Sequence, residues 1–293
     1  RDDLDKIRED YNIKDDSTTW ILKKAIDDLR NTGPNEKRIV PISYRPFDTR
    51  KTYYTGQVVG FYTNPRKPVM KHIIKRNDNL VLYSCKQVKS SDIYQHAFIT
   101  NNIVDSCYVS NKTSETGYAF PLYLNTNNDC IKTEEDSDLN NTNIKKEFVD
   151  KLEKHLQLKL GSIQSSEEFT VINILDYIYS VLHWNSFRKK YADFMKIDFP
   201  RIPYPKNKEE FFKMEKLGSE LREIHMLESD LVNKFITEYT IPGSNEVTKS
   251  MTKKSPGWLA SRANSEIGDV WINDEQFFSG VPIIAWNLHV GCY

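Results

Sequence analysis

Apolar residues at helical spacing, followed by short alternating runs, characterise the first part of the chain. Residues 1–32 are predicted to be helical, because one face of that segment collects Trp20, Ile21, Ala25, Ile26 and Leu29. Asp16 or Ser17 is a suitable N-cap, and Gly33-Pro34 is a suitable stop. Five short β-type runs follow, separated by turn residues, at 38–43, 80–85, 93–99, 103–109 and 118–124. These runs predict a mixed, partly antiparallel sheet.

Residues 147–230 are predicted to be mainly helical. Apolar positions at 3–4 spacing form three sets, which are Phe148, Leu152, Leu156 and Leu160, then Phe187, Tyr191, Phe194 and Met195, then Met214, Leu217, Leu221, Ile224 and Leu227. Asn207 with Glu210 is a suitable capping pair for the last helix. Its stripe lasts only about two heptads, so we expect it to face the core and not to form a long coiled coil. Beyond this helix, 268–273 and 281–284 indicate strands.

These patterns predict an α+β fold, in which a mixed β-rich N-terminal lobe packs with a helical lobe and a small mixed C-terminal region follows. The expected regions, in chain order, are a helical connector, the β-rich lobe, an acidic loop, the helical lobe and the C-terminal region, at residues 1–36, 37–126, 127–146, 147–230 and 231–293. The acidic loop is polar and has Glu134-Glu135-Asp136 at its centre, which is typical of a surface connection.

Composition indicates a globular chain without a membrane span. Hydrophobic residues make up 39% of it, which is enough for a core, and no apolar run approaches the roughly 18–20 residues of a spanning helix. The chain starts at Arg1 without Met and without a signal-like apolar stretch, which predicts a fragment of a longer, cytoplasmic protein. No CxxC pair exists, so we expect free thiols, with disulfides as the alternative, at Cys85, Cys107, Cys130 and Cys292.

A formal net charge of zero hides a strongly basic segment. Residues 37–90 hold twelve Lys or Arg and two acids, an excess of ten positive charges. Aromatic residues are interleaved with these cations, namely Tyr44, Phe47, Tyr53, Tyr54, Phe61, Tyr62 and Tyr83. Cations displace condensed counterions from a phosphate backbone and flat rings pack on sugars and bases, so the pattern favours nucleic-acid binding. The charge pattern alone is consistent with a surface that binds DNA, RNA or a membrane. It is also consistent with a strand whose charges only face solvent.

The candidate contacts come from this segment and from a second basic patch at 186–206. Arg45 and Arg50 offer forked donors to phosphate or guanine, whereas Asp48 is expected to orient an arginine. The full set of candidates is Tyr44, Arg45, Arg50, Lys51, Tyr54, Arg66, Lys67, Lys71, His72, Lys86, Lys89, Arg188, Lys189 and Arg201.

Catalytic and metal-binding motifs are not found. The sequence has no Walker-type phosphate loop, no GxSxG elbow and no metal-ligand spacing among its six histidines. No Asp or Glu stands two residues before a Lys, which argues against one type of metal nuclease. Asn64-Pro65-Arg66 is not the Asn/Asp-Pro-Pro-aromatic loop of an adenine methyltransferase. We therefore predict no catalytic residue, metal site or cofactor in this chain.

Several sequence blocks follow one another along the whole chain. They are Tyr44-Arg45-Pro46-Phe47-Asp48-x-Arg50 with Tyr53-Tyr54, Pro65-Arg66 with Met70-Lys71-His72, Tyr118-x-Phe120-Pro121-Leu122-Tyr123-Leu124, Asp176-Tyr177-Ile178-Tyr179-x-Val181-Leu182-His183, Arg188-x-Lys190-Tyr191-Ala192-x-Phe194, Ile197-Asp198-Phe199-Pro200-Arg201-Ile202-Pro203-Tyr204-Pro205, Leu217-Gly218-x-Glu220-Leu221, and Trp271-Ile272-Asn273 with Phe277-Phe278-x-Gly280-Val281-Pro282. Together they resemble the C-terminal part of type ISP restriction-modification enzymes and of related adenine-specific methyltransferase fusions. One departure is Gly291-Cys292-Tyr293, where Gly-Gly-Tyr is expected.

The resemblance implies a target recognition (specificity) domain that reads duplex DNA for both methylation and restriction. It also implies a larger enzyme whose methyltransferase and other domains are partners of this chain. S-adenosylmethionine, ATP and Mg²⁺ would then be used at sites upstream of Arg1. Members of such a family read different sequences, so we expect the shared blocks to hold the backbone or the fold, while less typical loop residues read the bases.

Two alternatives stay open. The chain could itself be a nuclease or a methyltransferase, which the missing motifs disfavour. It could instead be mainly a docking module for a catalytic domain, using the helix that carries Met214–Leu227 and binding DNA only weakly.

Overall fold

The chain leaves one folded unit at Met226 and returns to it at Gly291. In the computed structural model, residues Arg1–Met226 and Gly291–Tyr293 form this unit, and Leu227–Val290 form a second one. The structure describes residues 3–76, 78–112, 115–124, 141–165, 167–249 and 257–293. Helices and small sheets are both present, which confirms the predicted α+β class. The finer division into five regions stays a prediction, and the acidic centre of the loop at 127–146 lies outside the described residues.

The predicted N-terminal helix is two helices, α1 (Leu4–Asp10) and α2 (Leu22–Thr32). The chain between them is irregular, and the Asp16 carboxylate there accepts a hydrogen bond from the Leu22 amide at 2.8 Å. The N-cap of α2 is Ile21, whose side chain makes no capping bond, so the predicted cap at Asp16 or Ser17 is wrong, although Asp16 supports the first helical amide from outside the helix. Gly33, with φ +63°, ends the helix where the sequence predicted a stop.

The described residues between Ile39 and Pro121 form two three-stranded sheets, instead of the single mixed sheet that the pattern predicted. Their strands are β1 (Ile39–Arg45), β2 (Asp48–Tyr53), β3 (Val81–Cys85), β4 (Ala97–Thr100), β5 (Ile103–Val104) and β6 (Gly117–Pro121). One sheet has the order β2-β1-β5, with an antiparallel β1–β2 pair and a parallel β1–β5 pair. The other has the antiparallel order β4-β3-β6.

The helix α3 (Lys67–Ile74) is tied to the end of β6 by the buried Asn79. The Asn79 side-chain amide donates to the carbonyls of His72, at 2.9 Å, and Tyr123, at 2.8 Å. Its Oδ1 accepts from the Tyr123 amide at 3.0 Å. All the buried polar atoms of Asn79 are therefore paired, which fixes the position of α3.

The helical part of the unit packs on the β4-β3-β6 sheet. Its elements are α4 (Lys146–Leu156), β7 (Lys159–Leu160), β8 (Glu168–Phe169), α5 (Val171–His183), α6 (Asn185–Lys190), α7 (Ala192–Met195) and α8 (Lys208–His225). The predicted cap of α8 is confirmed, since Asn207 accepts from the Glu210 amide at 2.9 Å. A buried cluster joins α5 to the sheet, formed by Leu80, Ile99, Leu122, Tyr123, Val171, Leu175 and Tyr179.

The second unit contains an antiparallel sheet in the order β11-β10-β9. Its elements are β9 (Trp258–Ala260), β10 (Ile267–Trp271), β11 (Phe277–Pro282) and the short α9 (Ile283–Trp286). Gln276 is fully buried there, and its amide donates to the Ile241 carbonyl and the Asn245 side chain, both at 2.9 Å. A polar network thus organises this unit. Along the described part of the chain, no helix has the length and apolarity needed to cross a membrane.

Candidate nucleic-acid interface

The antiparallel β1–β2 hairpin begins the basic segment, and its turn is tight. Arg45 lies opposite Asp48 in the register, so only Pro46 and Phe47 connect the strands. Phe47 has φ +62°, a conformation that bulky residues rarely adopt. Its ring packs edge-on against Phe98, with the ring centroids 5.3 Å apart. This contact holds the turn against the β4-β3-β6 sheet.

Two guanidinium groups lie against the ring of Tyr44 near this turn. The Cζ atoms of Arg45 and Arg50 lie 3.9 and 4.0 Å from the ring centroid. Arg50 also binds Asp48, with Nη2 at 2.8 Å from Oδ2, and this hydrogen bond lowers the pKa of Asp48. The prediction that Asp48 orients an arginine is therefore confirmed. The Arg50 side chain is 58% exposed, so it can meet a phosphate while it keeps this partner.

Arg45 is held by residues that are remote from it in sequence. Its Nη1 lies 2.8 Å from Oδ1 of Asp105, directly after β5, and its Cζ lies 5.5 Å from the ring centroid of Tyr293. Sequence reasoning missed both partners. Asp105 gave no signal, whereas Tyr293 lies in the Gly-x-Tyr block at the end of the sequence. Lys51, by contrast, is exposed in β2, where it lies opposite Pro41. Its side chain is therefore accessible to a ligand.

Tyr54 is used by the fold. Its hydroxyl donates to the Pro65 carbonyl at 2.7 Å, and its ring lies 6.0 Å from that of Tyr62. Burial, with a contribution from Tyr62, raises the pKa of Tyr54 to about 12. The hydroxyl is thus protonated at neutral pH, and it ties the start of α3 to the end of β2.

The candidates on α3 lie at its first two turns. Arg66, just before the helix, and Lys67 are exposed, and Lys71 and His72 are half-buried. Burial lowers the pKa of His72, and Lys71 and Lys75 lower it further. His72 is therefore mainly neutral at pH 7, so it would serve as a hydrogen-bonding group and not as a cation.

Lys86 and Lys89 lie exposed on the loop after β3. An exposed ion pair at 3.0 Å, between Asp92 and Lys196, joins this loop to the segment after α7. The second basic patch is therefore adjacent to the first at this point.

The second patch contributes exposed Lys189 and Arg201, but Arg188 points into the interior. Arg188 is 8% exposed, and it donates to the Leu182 carbonyl and lies 3.1 Å from Nδ1 of His183. Burial lowers its pKa to about 10, so it still carries charge at pH 7. We do not carry Arg188 into the candidate interface, because a phosphate cannot reach it in this position.

Metal ligands and thiols are two further kinds of group that could give this surface a chemical function. Within the described residues, no three His, Cys, Asp or Glu side chains are grouped so as to hold a metal ion. Cys85, Cys107 and Cys292 are free thiols, and Cys130 lies outside the described residues. The candidate interface is therefore a set of exposed cations on the β1–β2 hairpin, at the start of α3 and on two loops. Such a set of cations is suited to bind a polyanion.

A family model described as the Type ISP C-terminal specificity domain matches residues 2–293. The chain belongs to this family. No curated protein sequence matches the specificity domain.

Two solved structures show the same fold as this specificity domain. The cryo-electron microscopy structure of a DrdV–DNA complex matches 92% of it with 20% identity and a TM-score of 0.61. The ATP-dependent Type ISP restriction-modification enzyme LlaBIII bound to DNA matches 99% of it, also with 20% identity and a TM-score of 0.61. The specificity domain spans only 24% and 17% of these two chains.

Proposed function

We propose that this chain recognises duplex DNA sequence-specifically, as the specificity domain of a larger restriction-modification enzyme. The family match over residues 2–293 carries the proposal. Two observations support it, namely the excess of ten positive charges in residues 37–90 and the fact that both similar structures are complexes with DNA. Arginine and lysine would fix the register on the phosphates, and a few loop side chains would read base edges.

The rest of the proposal concerns the larger enzyme, which would methylate adenine and restrict DNA in the cytoplasm. It would use S-adenosylmethionine, ATP and Mg²⁺ at sites in its other domains. Support comes from the similarity to LlaBIII, an ATP-dependent Type ISP restriction-modification enzyme, 17% of which is matched by this chain.

The electrostatic part is tested by titrating labelled duplex DNA with the protein at several salt concentrations. If about six phosphates are contacted, the logarithm of the binding constant falls with the logarithm of salt with a slope near −5. Arg50→Gln should weaken binding to all sequences and make the slope about one unit shallower, because one phosphate contact is lost. The matched control is Lys213→Gln, an exposed position on α8, which should change neither value. A flat salt response of the wild type would contradict the proposal.

The catalytic alternative is tested with the same chain. Plasmid DNA incubated with it and Mg²⁺, or with a methyl donor, should be neither cut nor methylated. Turnover by the chain alone would show that recognition is not its whole function.

Docking is a second candidate, because α8 leaves Leu217 53% exposed. Comparing DNA affinity of the chain with that of the natural full-length protein separates the two roles. Equal affinities favour direct recognition, and much weaker binding by the chain favours docking.

A further inference from the structure

The loop between β2 and α3 is fixed at its base by α2. The Asp28 carboxylate, which is nearly fully buried, accepts from the Thr55 hydroxyl at 2.7 Å and from the Phe61 amide at 2.9 Å. The Trp20 indole donates to the Phe61 carbonyl at 3.1 Å. Because these bonds brace both ends of the loop, its tip has a defined position.

The tip of this loop exposes one amide and two branched apolar side chains. Gln57 is exposed, and Val58 and Val59 are 65% and 43% exposed. Val59 has φ +55°, which a β-branched residue adopts only when its surroundings impose it. Its amide donates to the Thr63 carbonyl at 3.2 Å, which holds that conformation. Because Gln57 and Val58 are largely exposed at a fixed loop tip, the tip can contact a ligand.

Cations flank this tip. Lys67 packs its stem beside Gly56, since a Cβ added at Gly56 would lie 3.1 Å from Cδ of Lys67. Arg66 is exposed next to it, and the bond from Tyr54 to the Pro65 carbonyl keeps both residues beside the loop. The Lys67 side chain therefore lies directly beside the start of the tip, so the apolar and amide groups there are next to positive charge, and Arg66 precedes Lys67 in the chain.

The hollow between this loop and α2 is lined by the tip residues themselves, together with Lys24, Asp27 and Asp28. The two acids make the hollow a poor phosphate site, so a bound polyanion would be held by Arg66 and Lys67 instead.

We propose that Gln57, Val58 and Val59 read base edges in the major groove while Arg66 and Lys67 hold the adjacent phosphates. This inference rests on the proposed function. Gln presents the amide pair that matches adenine N6 and N7, and a valine methyl matches the C5-methyl of thymine. The flanking positive charge selects DNA over an apolar protein partner. The loop thus favours A·T pairs at the positions that it contacts.

The test is a selection from a randomised duplex library by the natural full-length protein, read as a sequence logo. Gln57→Ala and Val58→Ala should each remove about tenfold or more of the preference at one or two adjacent positions. Both side chains are exposed, so the variants should fold, which thermal melting checks. The matched control is Lys67→Gln, which should weaken binding to every sequence and leave the logo unchanged.

The outcomes separate this inference from the proposed function. If the wild-type protein yields a logo and the tip variants yield the same logo at full affinity, the loop does not read the bases. The proposed function would still stand in that case. A wild-type protein that selects no sequence would overturn the proposed function as well. If either tip variant melts early, Gln57→Glu, which keeps the shape of the side chain, gives the deciding logo.

Discussion

The carboxylate of Glu115 shows how one buried charge can hold a surface loop. It accepts hydrogen bonds from the amides of Lys89 and Ser90, from the Ser90 hydroxyl at 2.9 Å and from the Ser110 hydroxyl at 2.7 Å. Burial raises its pKa, but the hydrogen bonds from Ser110, Lys89 and Ser90 outweigh burial and lower the pKa to about 2. Glu115 therefore positions the backbone of the loop that carries Lys86 and Lys89.

The depressed pKa of Glu115 makes stability depend on pH. The ionised form stabilises the fold fully above the pKa of the unfolded chain, near 4.5, and this contribution is lost as the pH falls toward 2. Its size is about 3 kcal/mol, which follows from the pKa difference. Urea unfolding at pH 7 and at pH 3 should show that Glu115→Gln is destabilised at pH 7 and loses less stability than the wild type on acidification. An equal loss in both proteins would contradict the assignment.

The prediction of Arg188 as a contact shows the limit of sequence reasoning at the residue scale. Successive residues on a helix diverge by about 100°, so Arg188 and Lys189 must face different ways. Charge alone does not say which of them faces the interior. The Leu182 carbonyl and His183 decide it, because they offer Arg188 hydrogen-bond acceptors inside the protein.

The packing of α8 on α5 shows the same limit at the scale of elements. The apolar stripe predicted Met214, Leu217 and Leu221 as the core face, yet Leu217 is more than half exposed. The residues that meet α5 include Gly218 and Arg222. Arg222 binds Asp176 through Nε and Nη2, at 2.7 and 3.0 Å. The predicted face is right at Leu221, which packs against the buried cluster that includes α5, and wrong at Leu217. Gly218 and the ion pair add to the contact, and neither contributes to a hydrophobic pattern.

Capping residues predicted the ends of some helices better than the apolar stripe predicted the packed face of α8. Asn207 and Gly33 act where the sequence placed them, because a cap depends on residues that are close in sequence. The predicted cap of α2 at Asp16 or Ser17 was wrong, since that helix begins after Ile21. The strand β2 was missed, since Asp48–Tyr53 is mostly charged and polar and shows no apolar alternation. Only pairing with β1 makes it a strand.

Gly218 should be indispensable for the contact between α5 and α8. A Cβ at this position would lie 1.9 Å from the Asp176 carbonyl oxygen, and a backbone atom cannot swing away as a side chain can. Gly218→Ala should therefore lower the free energy of unfolding by about 1–3 kcal/mol or more, despite the better helix propensity of alanine. Urea denaturation followed by circular dichroism measures this loss. Lys216→Ala, at an exposed position of α8, is the control and should stay within about 0.5 kcal/mol of the wild type.

At the scale of the whole molecule, the chain path could not be predicted from sequence. Local patterns indicated most strands, but not that β1 pairs with β5 in one sheet while β3 lies between β4 and β6 in another. Nor did they indicate that residues 291–293 return to the first unit. Such pairings join residues that are far apart in sequence, and a local pattern contains no information about them.

The return of the chain at Gly291 supports our last prediction. The Gly291 amide donates to the Gln95 carbonyl at 2.6 Å, and the Cys292 amide donates to the Val109 carbonyl at 2.9 Å. Gly291 has φ +63°, and a Cβ there would lie 1.7 Å from the Val109 oxygen. Gly291→Ala should therefore combine backbone strain with a clash and cost about 2–4 kcal/mol.

Gly33 is the matched control, since it has the same φ of +63° but nothing within 4 Å of an added Cβ. Gly33→Ala should therefore show backbone strain without a clash, about 1–3 kcal/mol at φ +63° and ψ 170°. Urea denaturation gives both values. Since Tyr293 lies beside Arg45, we also expect Gly291→Ala, and not Gly33→Ala, to weaken DNA binding. If Gly291→Ala were as stable as the wild type, the clash at Val109 would be absent, and the closing segment would be only loosely attached to the first unit.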